Sequence, residues 1–276
     1  MKLSSEQLQI YEEQGYLFLP EVFSQTEVDA MKAELPSIYK EDTLAKVVEE
    51  DGKTVRIVHG SHTKNGIFKD LSQHPHIIDP VMQILGSAVY IHQFKISAKA
   101  AFEGGIWQWH QDYVYYKEED GIPEPRIVNT AIFLDEVNEF NAPLMLIPSS
   151  HQEGLISVFT EEEQHTQYQD SPSWMSRLTT KLHYTINQET LGRLVNKYGI
   201  ASPKGAAGSL LLFHPSCVHG SGTNMSPFDR ALVIINYNSV ENTPKKPVQE
   251  QRPEFLASLD YAPIKPLSSG AFLSSV

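Results

Sequence analysis

The chain has one cysteine, Cys217, in 276 residues. No disulfide can form within it, and nothing in it demands an oxidising compartment. Long apolar runs are also missing. No stretch approaches the roughly 20 apolar residues of a membrane span, and the opening Met1-Lys-Leu-Ser-Ser-Glu-Gln turns polar before any apolar run develops, so no signal peptide is expected. Basic charge is scarce: 22 Lys and Arg stand against 34 Asp and Glu, a net charge of −12. Such a surface excludes a sequence-independent grip on nucleic acid or on anionic lipid, both of which need basic patches. A small anion remains possible, because one or two buried arginines suffice for it. Together these absences predict a cytoplasmic protein without nucleic-acid or membrane partners. No pattern specifies an oligomeric state.

What is present is an ordinary globular composition, 41 % hydrophobic and 20 % charged, with a length that suits one domain over 1–276. The start is helical. Ser4 with Gln7 and Ser24 with Glu27 have capping-box spacing, each followed by an apolar stripe. Tyr16 to Pro20 and Thr54 to His59 read as short strands, and Ile77 to Leu85 as a helix ended by Gly86. From Val89 onward strands dominate: Val89–Ile96, Val128–Leu134, Leu144–Ile147, Ser209–Phe213 and Ala231–Tyr237. Turn signals such as Asp120-Gly121, Asn141-Ala-Pro143 and Gly220-Ser-Gly222 separate them. The pattern predicts a mainly β fold with flanking helices and a double-stranded β-helix (jelly roll, cupin-like) core. A polar segment at about 152–204, with a helix near Asn187 to Tyr198, reads as an insertion, either a lid or a solvated loop. The chain after Asn242 reads as a surface tail.

His110-Gln-Asp112, followed by His219 and Arg230, carries the chemistry. Two imidazoles and a carboxylate are the ligand set of non-haem Fe(II) oxygenases. If Trp109 to Tyr113 is extended, period-two alternation puts His110 and Asp112 on one side of the strand. His214 and His219 compete for the third position. His214 precedes Pro215 at a strand end, whereas His219 lies among small residues in His219-Gly-Ser-Gly that leave room for a metal. Arg230, at the edge of an apolar run, points its guanidinium either into the core, where it would hold a carboxylate bidentately, or out to water. Lys99 poses the same question. Arg56 is a candidate for a substrate carboxylate, and Tyr115, Tyr116 and Trp174 are either packing or substrate wall.

The order and spacing of Ile91-His-Gln-Phe-Lys-Ile96, Trp107-Gln-Trp-His110-Gln-Asp112, Asp120-Gly-Ile-Pro123, Phe140-Asn-Ala-Pro143, Ile147-Pro-Ser-Ser-His151, Phe213-His-Pro215 and His219-Gly-Ser221 with Arg230 resemble the phytanoyl-CoA dioxygenase superfamily of Fe(II)/2-oxoglutarate oxygenases. Within it the chain is most similar to bacterial hydroxylases of free L-leucine at C5, which serve nonribosomal-peptide pathways, and more distantly to ectoine hydroxylases. The leucine-hydroxylase likeness runs from about Leu3 to Pro253 and includes Asp51-Gly-Lys-Thr-Val-Arg56 and Ser61-His62.

The resemblance implies a role for each matching residue. His110, Asp112 and His219 match iron ligands. Arg230 matches the arginine that holds the distal carboxylate of 2-oxoglutarate, Ser221 a hydroxyl near it, and Lys99 a 2-oxoglutarate-binding lysine. Gln93 matches a substrate-contacting glutamine, and Arg56, His59, Ser61 and Asn129 are further candidate pocket contacts. It implies Fe(II) as cofactor, with 2-oxoglutarate and dioxygen as co-substrates. The implied reaction is hydroxylation of an unactivated C–H bond of a free aliphatic L-amino acid, L-leucine at its δ-carbon. An intact Asp112 points to hydroxylation, because the related halogenases carry a small residue there to admit halide. The rivals are the same chemistry on another small solute, ectoine-like or proline-like, and a non-catalytic cupin-like metal-binding module. The module does not account for Arg230 and Lys99 together.

Overall fold

Local signals set the N-terminal half. In the computed structural model, which describes residues 1–156, 158–159, 174, 182–245, 251–268 and 272, both capping boxes form. They open α1 (Ser5–Gln14) and α2 (Gln25–Lys40), with β1 (Tyr16–Leu19) between them. β2 (Lys46–Val48) and β3 (Val55–His59) precede α3 (Gly66–Ser72) and α4 (Pro75–Leu85), and α4 ends on Gly86 in the left-handed conformation, as its position predicts.

The β-rich half follows with β4 (Val89–Lys99), β5 (Trp107–His110), α5 (Asp112–Glu118), β6 (Ile127–Phe133), β7 (Met145–Leu146), β8 (Val158–Phe159) and β9 (Tyr184–Thr185). The remaining elements are α6 (Gln188–Tyr198), capped by Asn187, β10 (Leu210–Phe213), β11 (His219–Ser221) and β12 (Arg230–Ser239).

Every pairing among the described strands is antiparallel. One sheet of seven strands runs β1-β10-β6-β12-β4-β3-β2, and a second of three runs β5-β11-β7. This is the predicted jelly-roll arrangement. Both faces of the large sheet are covered, which is why β6, β10 and β12 read as continuous apolar runs rather than alternating ones. Period-two alternation still sorts the side chains. Phe94, Ile96, Val233 and Ile235 join the core under the helices, with Val28, Met31, Phe68 and Ile77. Each such side chain fully removed from water contributes about 1.5–3 kcal/mol. The odd-numbered residues of β4, starting from Gln93, point to the opposite face, towards the small sheet. The site lies between the two sheets.

Two expectations need revision, and a third lies partly outside the described residues. The segment from Trp109 to Tyr113 is not one strand: β5 ends at His110, Gln111 is extended at φ −117° and ψ 132°, and Asp112 opens α5. The Gln111 side chain forces the change, donating to the Gly154 and Ser216 carbonyls and accepting from the Ile156 amide. The chain after Asn242 is not a surface tail, since Arg252 is in ion pairs and Leu256 is fully buried. Of the insertion at 152–204, residues 157, 160–173 and 175–181 lie outside the described residues. Its described C-terminal part packs Leu191, Leu194 and Val195 of α6 against Ile147 and Val218. No helix among the described residues is long and apolar enough to cross a membrane.

Candidate metal centre and its cavity

His110 and His219 are directly opposed partners in the β5–β11 ladder, and their ring centroids lie 4.2 Å apart. Gly220 permits this approach, because a Cβ there would lie 3.0 Å from the Trp107 carbonyl oxygen. Each histidine donates its Nδ1–H to a carbonyl two residues back, Gln108 at 2.6 Å and Cys217 at 3.0 Å. A carbonyl can only accept, so both Nε2 lone pairs are left facing inward, the tautomer a metal needs. Asp112 meets them from the first turn of α5: Oδ1 is 3.5 Å from His110 Nε2, and Oδ2 is 3.8 Å from His219 Nε2. One ligand atom from each residue lies within 4.8 Å of the other two. Burial alone would raise the Asp112 carboxyl, but the Lys95 ammonium and then the two histidines hold it well below the usual carboxylate range. Burial pushes His219 down to about 4, and His110 pushes the same way. The three groups are two imidazoles with inward-facing Nε2 atoms and one carboxylate, a donor set that fits Fe(II).

His214 is elsewhere. Its Nδ1 accepts from the Ser216 amide at 3.1 Å, and its ring packs beside His151. The competition between His214 and His219 is thus resolved by strand register. Replacing His219 by alanine is expected to abolish iron binding, while His214→Ala keeps it within a few-fold. Anaerobic Fe(II) titration of the two variants checks this, and the reverse result would dissolve the triad.

A cavity of about 90 Å³ opens at the three residues. The large sheet lines it with Ile57, His59, Gln93, Lys95, Ser97 and Arg230. Trp107 and Ser221 from the small sheet, Tyr115 and Tyr116 from α5, and Leu182 and Arg252 from later segments complete most of the wall. Arg230 points inward and is 2 % exposed. Its Nη2 donates to the Ala142 carbonyl at 3.0 Å, while its Nε has no partner among the described residues. Burial pushes this guanidinium down to about 10. A buried, partly unsatisfied fork with Ser221 also on the wall suits the carboxylate of an organic co-substrate.

The other predicted residues divide. Gln93 and His59 are on the wall. Asn129 is not; its Nδ2 donates to Asp112 Oδ2 at 2.7 Å, and Asn236 steadies it in turn at 2.6 Å. It holds the Asp112 carboxylate and does not line the cavity. Arg56 is also off the wall. It pairs with Glu49 at 3.1 Å, donates to the Ile106 carbonyl and stacks 3.7 Å over Trp107, so it backs the wall from behind. Ser61 is buried in a short 3₁₀ turn away from the cavity. Lys99 spends its ammonium on the carbonyls of Gly105 and Gly222, and burial pushes it down to about 6. Of the aromatic candidates, Tyr115 and Tyr116 face the cavity, whereas Trp174 packs on Phe255 and Leu256.

Two cationic wall residues, Lys95 and Arg252, were not predicted. Lys95 is two residues from Gln93 on the same face of β4, so period two would have found it once Gln93 was placed inward. It is the cross-strand partner of His59. Arg252 had no local signal at all.

The phytanoyl-CoA dioxygenase family model matches residues 11–232, a span that holds His110, Asp112, His219 and Arg230. The chain is 37 % identical over 259 residues to an L-proline trans-4-hydroxylase of Streptomyces griseoviridis, covering 94 % of each. It is 34 % identical to an ectoine dioxygenase of Bordetella bronchiseptica, over 97 % of this chain and 86 % of the relative. The structure of EctD from S. alaskensis with 2-oxoglutarate and 5-hydroxyectoine superposes with a TM-score of 0.81 at 28 % identity, covering 96 % of this chain and 87 % of that one. The same enzyme with bound Fe gives 0.80. With fold and sequence matched over nearly its full length, the chain belongs to the phytanoyl-CoA dioxygenase family of iron- and 2-oxoglutarate-dependent oxygenases.

Proposed function

We propose that this protein hydroxylates an unactivated C–H bond of a free aliphatic L-amino acid, using Fe(II), 2-oxoglutarate and dioxygen. The observation that carries this reading is the placement of two cationic groups on one cavity wall with the triad, Arg230 at one position and Lys95 at another. In this reading His110, Asp112 and His219 hold iron on one face, and Arg230 with Ser221 takes the distal carboxylate of 2-oxoglutarate. Lys95, which has no ion pair among the described residues, takes the carboxylate of the amino acid. Arg56 backs Trp107 of the wall, and Lys99 holds the Gly105 and Gly222 carbonyls behind it. Bound iron with 2-oxoglutarate supplies the oxidising power. The protein positions the target carbon, excludes water with Tyr115, Tyr116 and Leu182, and keeps Asp112 ionised.

L-Proline is the first substrate to test, because a relative 37 % identical over nearly the whole chain is an L-proline trans-4-hydroxylase. L-Leucine at its δ-carbon is the second reading, favoured by the sequence likeness around Asp51–Arg56. A pathway supplying modified amino acids to peptide natural products would suit either. The two differ by hydrophobic contacts worth only about 1–3 kcal/mol per methylene, so the assay must decide. The protein is incubated with Fe(II), ascorbate and 2-oxoglutarate, and succinate is followed as free amino acids and ectoine are added one at a time. An aliphatic amino acid is expected to stimulate succinate formation and to gain one oxygen by mass. Stimulation by none of them would sink the amino-acid reading.

A further inference from the structure

The described residues from Arg252 to Ser258 run as a strap along β4 beside the cavity, with Arg252 on its wall. Ser258 donates its amide to the His92 carbonyl at 3.0 Å, and Leu256, fully buried, accepts from Gln93 Nε2 at 2.8 Å. A carbonyl can only accept, so this bond fixes the Gln93 amide with its nitrogen towards the strap and leaves Oε1 as an acceptor on the wall. Phe255 backs His59, with ring centroids 6.2 Å apart. Gly60 beside it must stay small: a Cβ there would lie 3.1 Å from Phe255 Cβ, and its φ is +71°. Neither ring nitrogen of His59 has a partner among the described residues. Burial, then the charges of Lys95 and Arg252, holds His59 well below its ordinary value, so it stands neutral with a lone pair to offer.

What holds the strap is Arg252. Its Nε and Nη2 grip Asp120 at 2.7 and 2.6 Å, and Nη1 lies 3.5 Å from Glu119. Asp120 is steadied further by His92 Nε2 at 2.9 Å. The two acidic residues follow directly on α5, the helix that begins at Asp112. With two carboxylates around one guanidinium, Arg252 has no charge to spare for a substrate carboxylate, so its work is docking.

The polar wall groups give the docking its consequence. Among the wall residues the only carboxylate is Asp112, which is committed to the metal. An amino acid whose carboxylate sits on Lys95 must still satisfy its ammonium, since a buried charge without partners is costly. Gln93 Oε1 and His59 are the acceptors adjoining Lys95, His59 as its cross-strand partner and Gln93 two residues along the same strand face. The strap touches both.

We propose that the segment from Arg252 to Ser258 is part of the substrate seat, and that Arg252 is the positioning residue that docks it so that Gln93 and His59 accept from the substrate's ammonium. This rests on the amino-acid reading above. The test uses the full-length enzyme loaded with Fe(II) and 2-oxoglutarate without oxygen. Binding of L-proline is compared with that of tetrahydrofuran-2-carboxylate, and L-leucine with 4-methylpentanoate; each pair differs by the amine. The wild type is expected to prefer the amine by about tenfold or more, the effect of hydrogen bonds to a charged group. Arg252→Met is expected to lose that preference while its 2-oxoglutarate affinity stays within about twofold, and amide exchange at Ser258 should accelerate. Arg252→Lys, which keeps a charge beside Asp120, should fall between them and guards against a simple loss of fold. A preference retained in Arg252→Met, or unchanged Ser258 exchange, overturns the seat alone. If the wild type binds no amino acid although 2-oxoglutarate still binds, the amino-acid reading fails and the seat fails with it.

Discussion

Asp112→Ala is expected to lose hydroxylation by at least about 10³-fold, some 4 kcal/mol of barrier at 1.36 kcal/mol per tenfold, with its secondary structure intact. Asp112 supplies the only negative charge in the triad, so its loss removes both a ligand atom and the charge that favours a dication between two imidazoles. Three further changes follow from its partners. Asn129 Nδ2, now 2.7 Å from Oδ2, is left without its acceptor, which costs about 1–3 kcal/mol for a buried donor. Lys95 loses the carboxylate that favours its charged form. His219, for which the Asp112 charge opposes burial, is pushed further towards neutrality. The variant should therefore fold with a lowered melting temperature and fail to bind Fe(II) at concentrations that saturate the wild type. Asn129→Ala separates the two effects. It keeps the ligand and removes its orienting partner, and a 10–100-fold loss of metal affinity is the usual size for such a change. Calorimetric metal titration with product assay covers both variants. Hydroxylation retained in Asp112→Ala would remove the triad from the argument.

The second large effect is expected at Arg230. Arg230→Met should raise the KM for 2-oxoglutarate by roughly 30-fold or more, as truncating one partner of a buried charge pair costs about 2–5 kcal/mol. The KM for the amino acid should change by no more than a few-fold. The reason is geometric: Arg230 opens β12 opposite Lys99, two ladder positions beyond the Leu232–Ser97 pair, whereas Lys95 pairs with Ile234 further along the same strands. The two cations thus serve different stretches of the wall. The unliganded protein should not be destabilised. Burial already depresses Arg230 to about 10, which means its charge is held at a cost in the empty site, and a methionine of similar reach relieves that cost. Unchanged or improved stability together with a crippled co-substrate requirement is the signature of a group retained for binding. An equal rise in both KM values would reassign Arg230 to a general structural role.

Much of this was legible in the sequence because the signals are local. The capping boxes at Ser4 and Ser24 operate over three residues, and the strands of the large sheet declare themselves through β-branched and apolar runs. His110, Asp112, His219 and Arg230 could be named because ligand chemistry restricts residue types and the motif order is shared across the family. Even so, the local geometry was misjudged at Asp112. The extended spacing suited a strand, but the Gln111 amide makes its bonds to residues 43 and 105 positions away, and those bonds start a helix instead.

By itself the sequence determined the jelly-roll class, the ligand types, the lack of an intrachain disulfide and the family, because composition, period and short-range spacing are written along the chain. Tertiary structure supplied the pairing that sets His219, already favoured over His214, opposite His110, since ladder register is a pairing between distant strands. It alone turned Lys95 inward to the cavity and tied Lys99 to two loop carbonyls, although both lie on one strand face. It alone brought Arg252 across 132 positions to Asp120, making a wall of the cavity out of a segment that reads as a tail. Side-chain period tells which face a residue takes, while the partner waiting on that face comes from elsewhere in the chain.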